Sequence, residues 1–260
     1  MISIVIRNKN EAKALGATLT MLNKVYAEDI DEIIIVDNNS TDESITVAEK
    51  FNCKIVKIDV FTYGKAINLG IEIARNNLVL LLSSHAIPVG NSFFKNSLKE
   101  FNRNSSLAGI RYINSYTNYL RANDNDFTVK DGLKYGLMAG CAMINKEIWK
   151  NFKFDEQLVF SEDKQWSERV IKAGLIIKDF NETFFYHIKR DEKSLLSRLK
   201  NETIAHYQLH QLEYLSVIKI LLIFGKKIML NLPAEFFQKI IFETKLLRTR
   251  LEIRKKILKN

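Results

Sequence analysis

The chain has 260 residues, 47% of them hydrophobic, and a formal net charge of +9 at pH 7. That length buries a sizeable core in one α/β domain carrying an appendage, and falls short of two full enzyme domains. Two cysteines, Cys53 and Cys141, exclude a disulfide framework and point to a reducing cytosol, and the apolar run directly after Met1 is not the basic leader of a signal peptide.

In chain order, Ile2 to Ile6 is a short apolar run of β type, followed by a helix from Glu11 to about Val25 with Leu15, Leu19 and Leu22 on one face. Glu32 to Val36 reads as a fully buried strand. Ser40 and Glu43 have the spacing of a capping box, so a helix is expected to open at Ser40. Lys54 to Val60 is the third strand, Ala66 to Arg75 a helix, and Leu78 to Leu82 a fourth, wholly apolar strand. Strands alternating with helices in this rhythm imply a mostly parallel central sheet flanked by helices on both faces.

Asn114 to Asp131 is polar and Asn-rich, and is expected to be a mobile loop over the active site. Order returns at Gly140 to Trp149 and at Phe154 to Gly174, which ends in a helix from about Glu162 to Ala173. Leu175 to Phe180 and Thr183 to Tyr186 read as two last strands, and everything after Arg190 as helix. The expected organisation is an α/β domain over 1–190 and a helical, basic C-terminal extension over 191–260.

In that extension Tyr214 to Phe224 and Ile228 to Phe242 are strongly apolar, yet Lys219, Lys226, Lys227 and Lys239 interrupt them. Neither gives the roughly 20 unbroken apolar residues of a spanning helix. Such helices fit a membrane surface and fit equally a packed helix or a homodimer contact. The basic end of the chain lacks interleaved aromatics, so nucleic acid is not an expected partner.

In open parallel sheets ligands lie outside the carboxyl ends of the strands. Three polar clusters fall there: Arg7-Asn8-Lys9-Asn10-Glu11, Asp37-Asn38-Asn39-Ser40-Thr41-Asp42, and Ser83-Ser84-His85. None is a glycine-rich phosphate cradle, which leaves a dinucleotide fold or P-loop without a motif. Each cluster alone has a plainer reading: Asn10 as a helix cap, Asp37 as the acceptor of an Asx turn. A fourth cluster is Ser161-Glu162-Asp163, where a serine cap and two first-turn acids are what a helix dipole favours.

Together these segments carry a resemblance. Ser3-Ile4-Val5-Ile6 with Asn10-Glu11, then Ile33 to Asp42 (IIIVDNNSTD), then Tyr63 to Gly70 (YGKAINLG), then Phe154 to Gly174 with Ser161-Glu162-Asp163, Trp166 and Arg169, resemble family 2 glycosyltransferases of the GT-A fold. The resemblance runs from Met1 to about Arg190, and its nearest flavour is the rhamnosyltransferase-like branch of surface polysaccharide synthesis. It implies an inverting transferase that moves a single sugar from a UDP- or dTDP-sugar to a hydroxyl of a glycan or lipid-linked acceptor, for O-antigen or capsule. The enzyme is then expected in the cytoplasm, peripheral at the inner face of the plasma membrane.

By the same resemblance Arg7, Asn8 and Glu11 lie against the nucleoside, Asp37 accepts the pyrimidine ring N–H with Asn39 beside it, and Lys65 and Asn68 meet ribose and phosphate. Gly140 lets backbone approach the donor sugar. Asp163 is the base that deprotonates the acceptor, with Glu162 orienting it. The departure concerns the metal. Where the family carries Asp-x-Asp, this chain has Ser83-Ser84-His85, a poor donor set for Mg2+. Ser84 and His85 are expected at the diphosphate; His85 either joins His187 in holding Mn2+ or donates to a phosphate oxygen. The other class of reading this departure motivates is a catalytically silent protein of the same fold that binds nucleotide sugars or serves as a scaffold.

Overall fold

The computed structural model describes residues 1–186, 188 and 191–258. They form two compact units, Met1–His210 and Gln211–Asn260.

The first unit begins β1 (Ile2–Asn8), α1 (Ala12–Tyr26), β2 (Ile30–Asp37), α2 (Ser44–Lys50), β3 (Lys54–Lys57), α3 (Tyr63–Ile73) and β4 (Leu78–Ser83). It continues β5 (Ala86–Val89), α4 (Phe93–Arg103), β6 (Leu107–Tyr112), α5 (Tyr116–Asp124), α6 (Gly132–Tyr135), β7 (Cys141–Asn145) and α7 (Lys146–Asn151). It ends α8 (Glu162–Lys172), β8 (Ile176–Phe180), β9 (Thr183–Tyr186) and α9 (Glu192–Leu209). Contacts therefore group α9 with the α/β unit, although its sequence falls in the expected extension.

The main sheet has the order β3-β2-β1-β4-β7-β6-β8, and β5 and β9 pair separately. Within the main sheet β7 runs against its neighbours β4 and β6 and the other pairings are parallel, while β5 and β9 pair antiparallel. Because β7 reverses twice, β6 and β8 run with β4, and the carboxyl ends of β1, β2, β4, β6 and β8 share one edge.

Alternation along the central strands builds the core. Ile4, Ile6, Leu80 and Leu82 pack on one face with α1 residues Leu15, Leu19 and Leu22. Val5, Ile34, Val36, Val79 and Leu81 pack on the other with α3 residues Ala66, Ile67 and Ile71. Both faces are covered, which is why these strands read as continuous apolar runs rather than as alternation.

Three expectations need correction. The helix after β2 starts at Ser44, and Ser40 is no cap: its amide and hydroxyl are taken by Asp37 instead. The polar stretch 114–131 is not a bare loop, since it folds α5, capped by Ser115 onto the Asn118 amide, and Thr128 bridges to Lys178. The strand expected to reach Val60 stops at Lys57.

In the second unit a continuous helix runs from Val217 to Ile257: α10 (Val217–Lys226), a π-helical turn at Lys227–Asn231, and α11 (Leu232–Ile257). Pro233 lies just beyond the π turn, where a missing N–H is accommodated by the widened spacing. Among the described residues no helix is long and apolar enough to cross a membrane.

Candidate functional site

Arg7, one residue before the end of β1, lies between Val36 and Ser83 in register, so its side chain stands at the centre of the carboxyl edge. Its guanidinium reaches Glu162 Oε1 at 3.3 Å and donates to the Ala139 carbonyl at 3.0 Å, while lying 5.1 Å above the Tyr63 ring. One arginine therefore gathers three segments distant in sequence: the start of α3, the Ala139-Gly140 bend, and the first turn of α8. The acidic helix expected at the sheet edge is there.

Glu162 is 5% exposed. Burial pushes its carboxyl up to about 7, the neighbouring Asp163 charge adds to the rise, and Arg7 opposes it. Asp163 is half-buried; its carboxylate accepts from the Ala139 amide at 2.8 Å and from the Lys164 amide at 2.8 Å. Ser161, ahead of the pair, has a left-handed backbone with φ of 65° and makes no side-chain cap bond, so the capping expected of it is absent. Asn10 and Asn39 also have positive φ, at 52° each, so strained backbone recurs around this edge.

The bend before β7 is fastened to α8. Lys164 Nζ donates to the carbonyls of Gly136 and Leu137 at 2.7 and 2.9 Å, and the Leu137 amide donates to Ser167 Oγ at 2.8 Å. Gly140 continues this bend, and its carbonyl accepts from the Ser83 amide at 2.8 Å. Asp163, Ala139, Gly140 and Ser83 thus form one hydrogen-bonded path from the acidic helix to the end of β4.

Asn8 and Asp37 are both buried side by side. Asn8 Nδ2 donates to Asp37 Oδ1 at 3.1 Å, and Ser40 donates to the same carboxylate from its amide at 2.8 Å and its hydroxyl at 2.5 Å. With Asp37 0% exposed, a pyrimidine N–H has no access to the carboxylate in this conformation, which corrects the direct contact expected of it. Asn8 Oδ1 is left as a buried acceptor with no partner among the described residues. Asn39 is exposed and its amide reaches the Ile58 carbonyl at 3.3 Å.

Asn68 is a second correction. Its Nδ2 donates to Phe154 O at 2.8 Å and Glu156 Oε1 at 2.9 Å, and its Oδ1 accepts from Trp149 Nε1 at 2.9 Å and the Phe154 amide at 3.0 Å. All four bonds are internal, so Asn68 positions the acidic segment and has no amide group left for ribose or phosphate. Gly64 allows the same approach: a Cβ there would stand 2.1 Å from the Asp155 carbonyl oxygen. Lys65, half-buried on the first turn of α3, remains next to this junction.

At the end of β4, His85 Nε2 lies 3.1 Å from Glu11 Oε1. Ser84 is buried and its carbonyl accepts from Thr18 at 2.8 Å, so its side of the turn faces the core. His187 lies outside the described residues. Among the described residues no group of three or more His, Cys, Asp or Glu is arranged to hold a metal ion, and Ser83, Ser84 and a histidine already paired with Glu11 do not fit a diphosphate-bound cation.

Farther along the same edge, beyond β6 and β8, an open hollow of about 370 Å³ is lined by Tyr116, Tyr119, Glu182 and their neighbours. Its wall α5 is tied down by a buried cluster in which Arg111 donates to Asp179 at 3.0 Å and to Asn118 at 3.1 Å, and Arg121 also reaches Asp179. Sequence reasoning missed this half of the edge, because α5 lies in the Asn-rich stretch with weak periodicity.

With this geometry in hand, comparisons with known proteins are specific. The profile of glycosyl transferase family 2 matches residues 3–185. The chain is similar, at 26% identity over 204 residues, to the Methanococcus voltae protein named dolichyl N-acetyl-alpha-D-glucosaminyl phosphate 3-beta-D-2,3-diacetamido-2,3-dideoxy-beta-D-glucuronosyltransferase; the match covers 66% of this chain and 62% of the relative, so the chain spans less than two thirds of that protein. Its fold is similar to that of a mannosyltransferase from Pyrobaculum calidifontis solved with GDP-Man and Mn2+, with a TM-score of 0.64 at 12% identity over 83% of this chain and 65% of the other. It is also similar to glucosyl-3-phosphoglycerate synthase from Mycobacterium tuberculosis, solved with Mn2+ and UDP, with a TM-score of 0.60 at 14% identity over 82% and 81% of the two chains. The likeness is one of fold, the α/β arrangement of GT-A enzymes.

Proposed function

Since the chain belongs to glycosyl transferase family 2, we propose that it moves a single sugar, with inversion, from a UDP- or dTDP-sugar to a hydroxyl of a glycan or lipid-linked acceptor in surface polysaccharide synthesis of the O-antigen or capsule kind. Glycosyl transfer from a sugar nucleotide is the general activity; the single addition, the inversion and the acceptor are this reading's own. The observation that carries it is the Arg7–Glu162 contact, which brings the first turn of α8 to the carboxyl ends of β1 and β4.

The diphosphate lies over that edge, with Lys65 offsetting its charge. Asp163, oriented by the Ala139 and Lys164 amides, takes the proton of the acceptor hydroxyl as its oxygen attacks the anomeric carbon. The bond from that carbon to the diphosphate breaks in the same displacement, and the nucleoside diphosphate leaves. The hollow beside Tyr116 and Tyr119 receives the acceptor glycan, whose sugar faces suit aromatic rings.

The test is release of UDP or dTDP from a panel of UDP-, dTDP- and GDP-sugars, with and without Mn2+. An Asp163→Asn protein is expected to bind nucleotide while turnover falls roughly 10²-fold or more. A second reading, a nucleotide-sugar-binding protein without catalysis, is favoured by the loss of Asp-x-Asp and by the His85–Glu11 pair standing in its place. Nucleotide affinity with no release from any donor would establish that reading and remove the first.

A further inference from the structure

The second unit carries a disproportionate share of both apolar surface and charge. From Gln211 to Asn260 there are eleven Lys and Arg against four Glu, a net +7 of the chain's +9. No residue of α10, the π turn or α11 is buried. Val217 and Ile218 are each 71% exposed, Leu222 67% and Phe224 64%, and farther on Met229 is 73% and Phe236, Phe237 and Phe242 each 62% exposed. An apolar surface of this extent marks an interaction site rather than a solvated helix.

We propose that this helix docks on an anionic lipid surface, its apolar first half at the boundary of headgroups and acyl chains and its basic second half along the headgroups. The charge chooses between the two occupants an apolar helix allows. A second copy brings another +7 to the same contact, whereas an anionic bilayer neutralises it. The distribution of side chains agrees. At 100° per residue Val217, Ile218, Ile220, Leu221, Leu222 and Phe224 span one broad arc of about 200° around α10 with Lys219 in the gap, wider than the single seam of a two-helix pair, which would leave some of them in water. A lipid boundary takes up the whole of that broad face and leaves Lys219 toward the headgroups.

The lysines within the apolar stretch, Lys219, Lys226, Lys227 and Lys239, suit the same placement, because their stems lie along apolar surface while the ammonium groups stay with phosphate and water. They also prevent the stretch from being a span, which agrees with the lack of any spanning helix among the described residues. Val217 to Ile257 forms a rod on the order of 60 Å long at 1.5 Å per residue. Its cations become dense only after Phe242, with Lys245, Arg248, Arg250, Arg254, Lys255 and Lys256. The inference stands apart from the catalytic reading, since it rests on this unit alone.

The experiment is sedimentation of the full chain with vesicles of phosphatidylcholine alone and of phosphatidylcholine mixed with phosphatidylglycerol. Binding at least about tenfold tighter to the mixed vesicles is expected, and molar salt should erase the difference. A Leu222→Asp/Phe224→Asp protein should lose vesicle binding while keeping its helical circular dichroism, and Lys226→Gln/Lys227→Gln should weaken only the anionic preference. Equal, negligible binding to both vesicle types overturns the proposal, as does a stable dimer in equilibrium sedimentation that ignores vesicles. Nucleotide release measured without lipid keeps the two readings separate, because vesicle binding can fail while donor turnover survives, and the reverse.

Discussion

Arg7 and Glu162 stand 3.3 Å apart across 155 positions of sequence, with side chains only 14% and 6% exposed. The pair is nearly removed from water, so its value lies less in net stability than in fixing where the helix starts. Arg7 also holds the Ala139 carbonyl, whose own amide bonds Asp163. The orientation of Asp163 is therefore set from β1, through Ala139, rather than by α8 alone.

Glu162 makes stability depend on pH in a definite sense. Its carboxyl is raised from 4.5 to about 7 in the folded chain, so below 4.5 both states hold the proton. Between 4.5 and 7 the folded state keeps it while the unfolded state releases it, and stability falls as pH rises through that window by on the order of 3 kcal/mol. Glu162→Gln removes the ionisation. Its urea midpoint is expected to change less than that of the parent between pH 5 and pH 8; parallel pH curves for the two proteins would sink the assignment.

Removing the cation should move the same group the other way. Arg7 holds the Glu162 carboxyl down against burial and against Asp163. Arg7→Gln keeps hydrogen-bonding capacity toward Ala139 but loses the charge, so the Glu162 midpoint, read by carboxyl NMR or as the lower limb of the pH–rate profile, should rise by about 1 unit. A midpoint unchanged or lowered contradicts the pairing.

How much of this was readable in advance follows from which interactions are local. The strands from Ile2, Glu32 and Leu78 were legible because burial on both faces makes them apolar without alternation, and helices such as α1 because Leu15, Leu19 and Leu22 mark a stripe. Ser40 misled because a capping box is a local pattern, and the buried Asp37 carboxylate outbid it for the same amide and hydroxyl. Asn68 misled in the opposite way: its four partners lie some 80 or more positions away, so nothing in its neighbourhood announces a positioning role. The helix α4 is marked locally by its apolar face of Phe93, Phe94 and Phe101, whereas α5 has weak periodicity and depends on tertiary packing, here the Arg111–Asp179–Arg121 cluster. The start of an acidic helix at Glu162 is legible in the sequence, while its link to Arg7 is not.

The role of Asn68 can be separated from ligand contact. Asn68→Leu strands the Trp149 Nε1–H and both polar groups of the Phe154 backbone in a buried setting. Each unsatisfied group costs about 1–3 kcal/mol, so a loss of roughly 3 kcal/mol or more is expected in chemical denaturation. A residue that only touched ribose would raise KM and leave the midpoint alone. Here the midpoint should drop, and kcat should fall more than KM rises, since the loop leading to Ser161 and α8 loses its anchor.

Gly64 gives the sharpest steric expectation. A Cβ at this position would sit 2.1 Å from the Asp155 carbonyl oxygen and 2.9 Å from its carbon, both backbone atoms that no rotamer change can clear. Gly64→Ala must push α3 away from the acidic segment, at a cost of about 1–3 kcal/mol, and the displacement bears on the Asn68 bonds one turn later. Gly16→Ala is the matched control: it lies inside α1 with Val47 Cγ1 at an ordinary 3.5 Å, and replacing glycine in a helix interior is expected to gain about 0.5–1 kcal/mol. Thermal unfolding of the two proteins should therefore shift in opposite directions, and nucleotide release should decline only in the first. Equal shifts would mean that α3 and the acidic segment can part without consequence, and the close approach would then have no part in holding the acidic helix at the sheet edge.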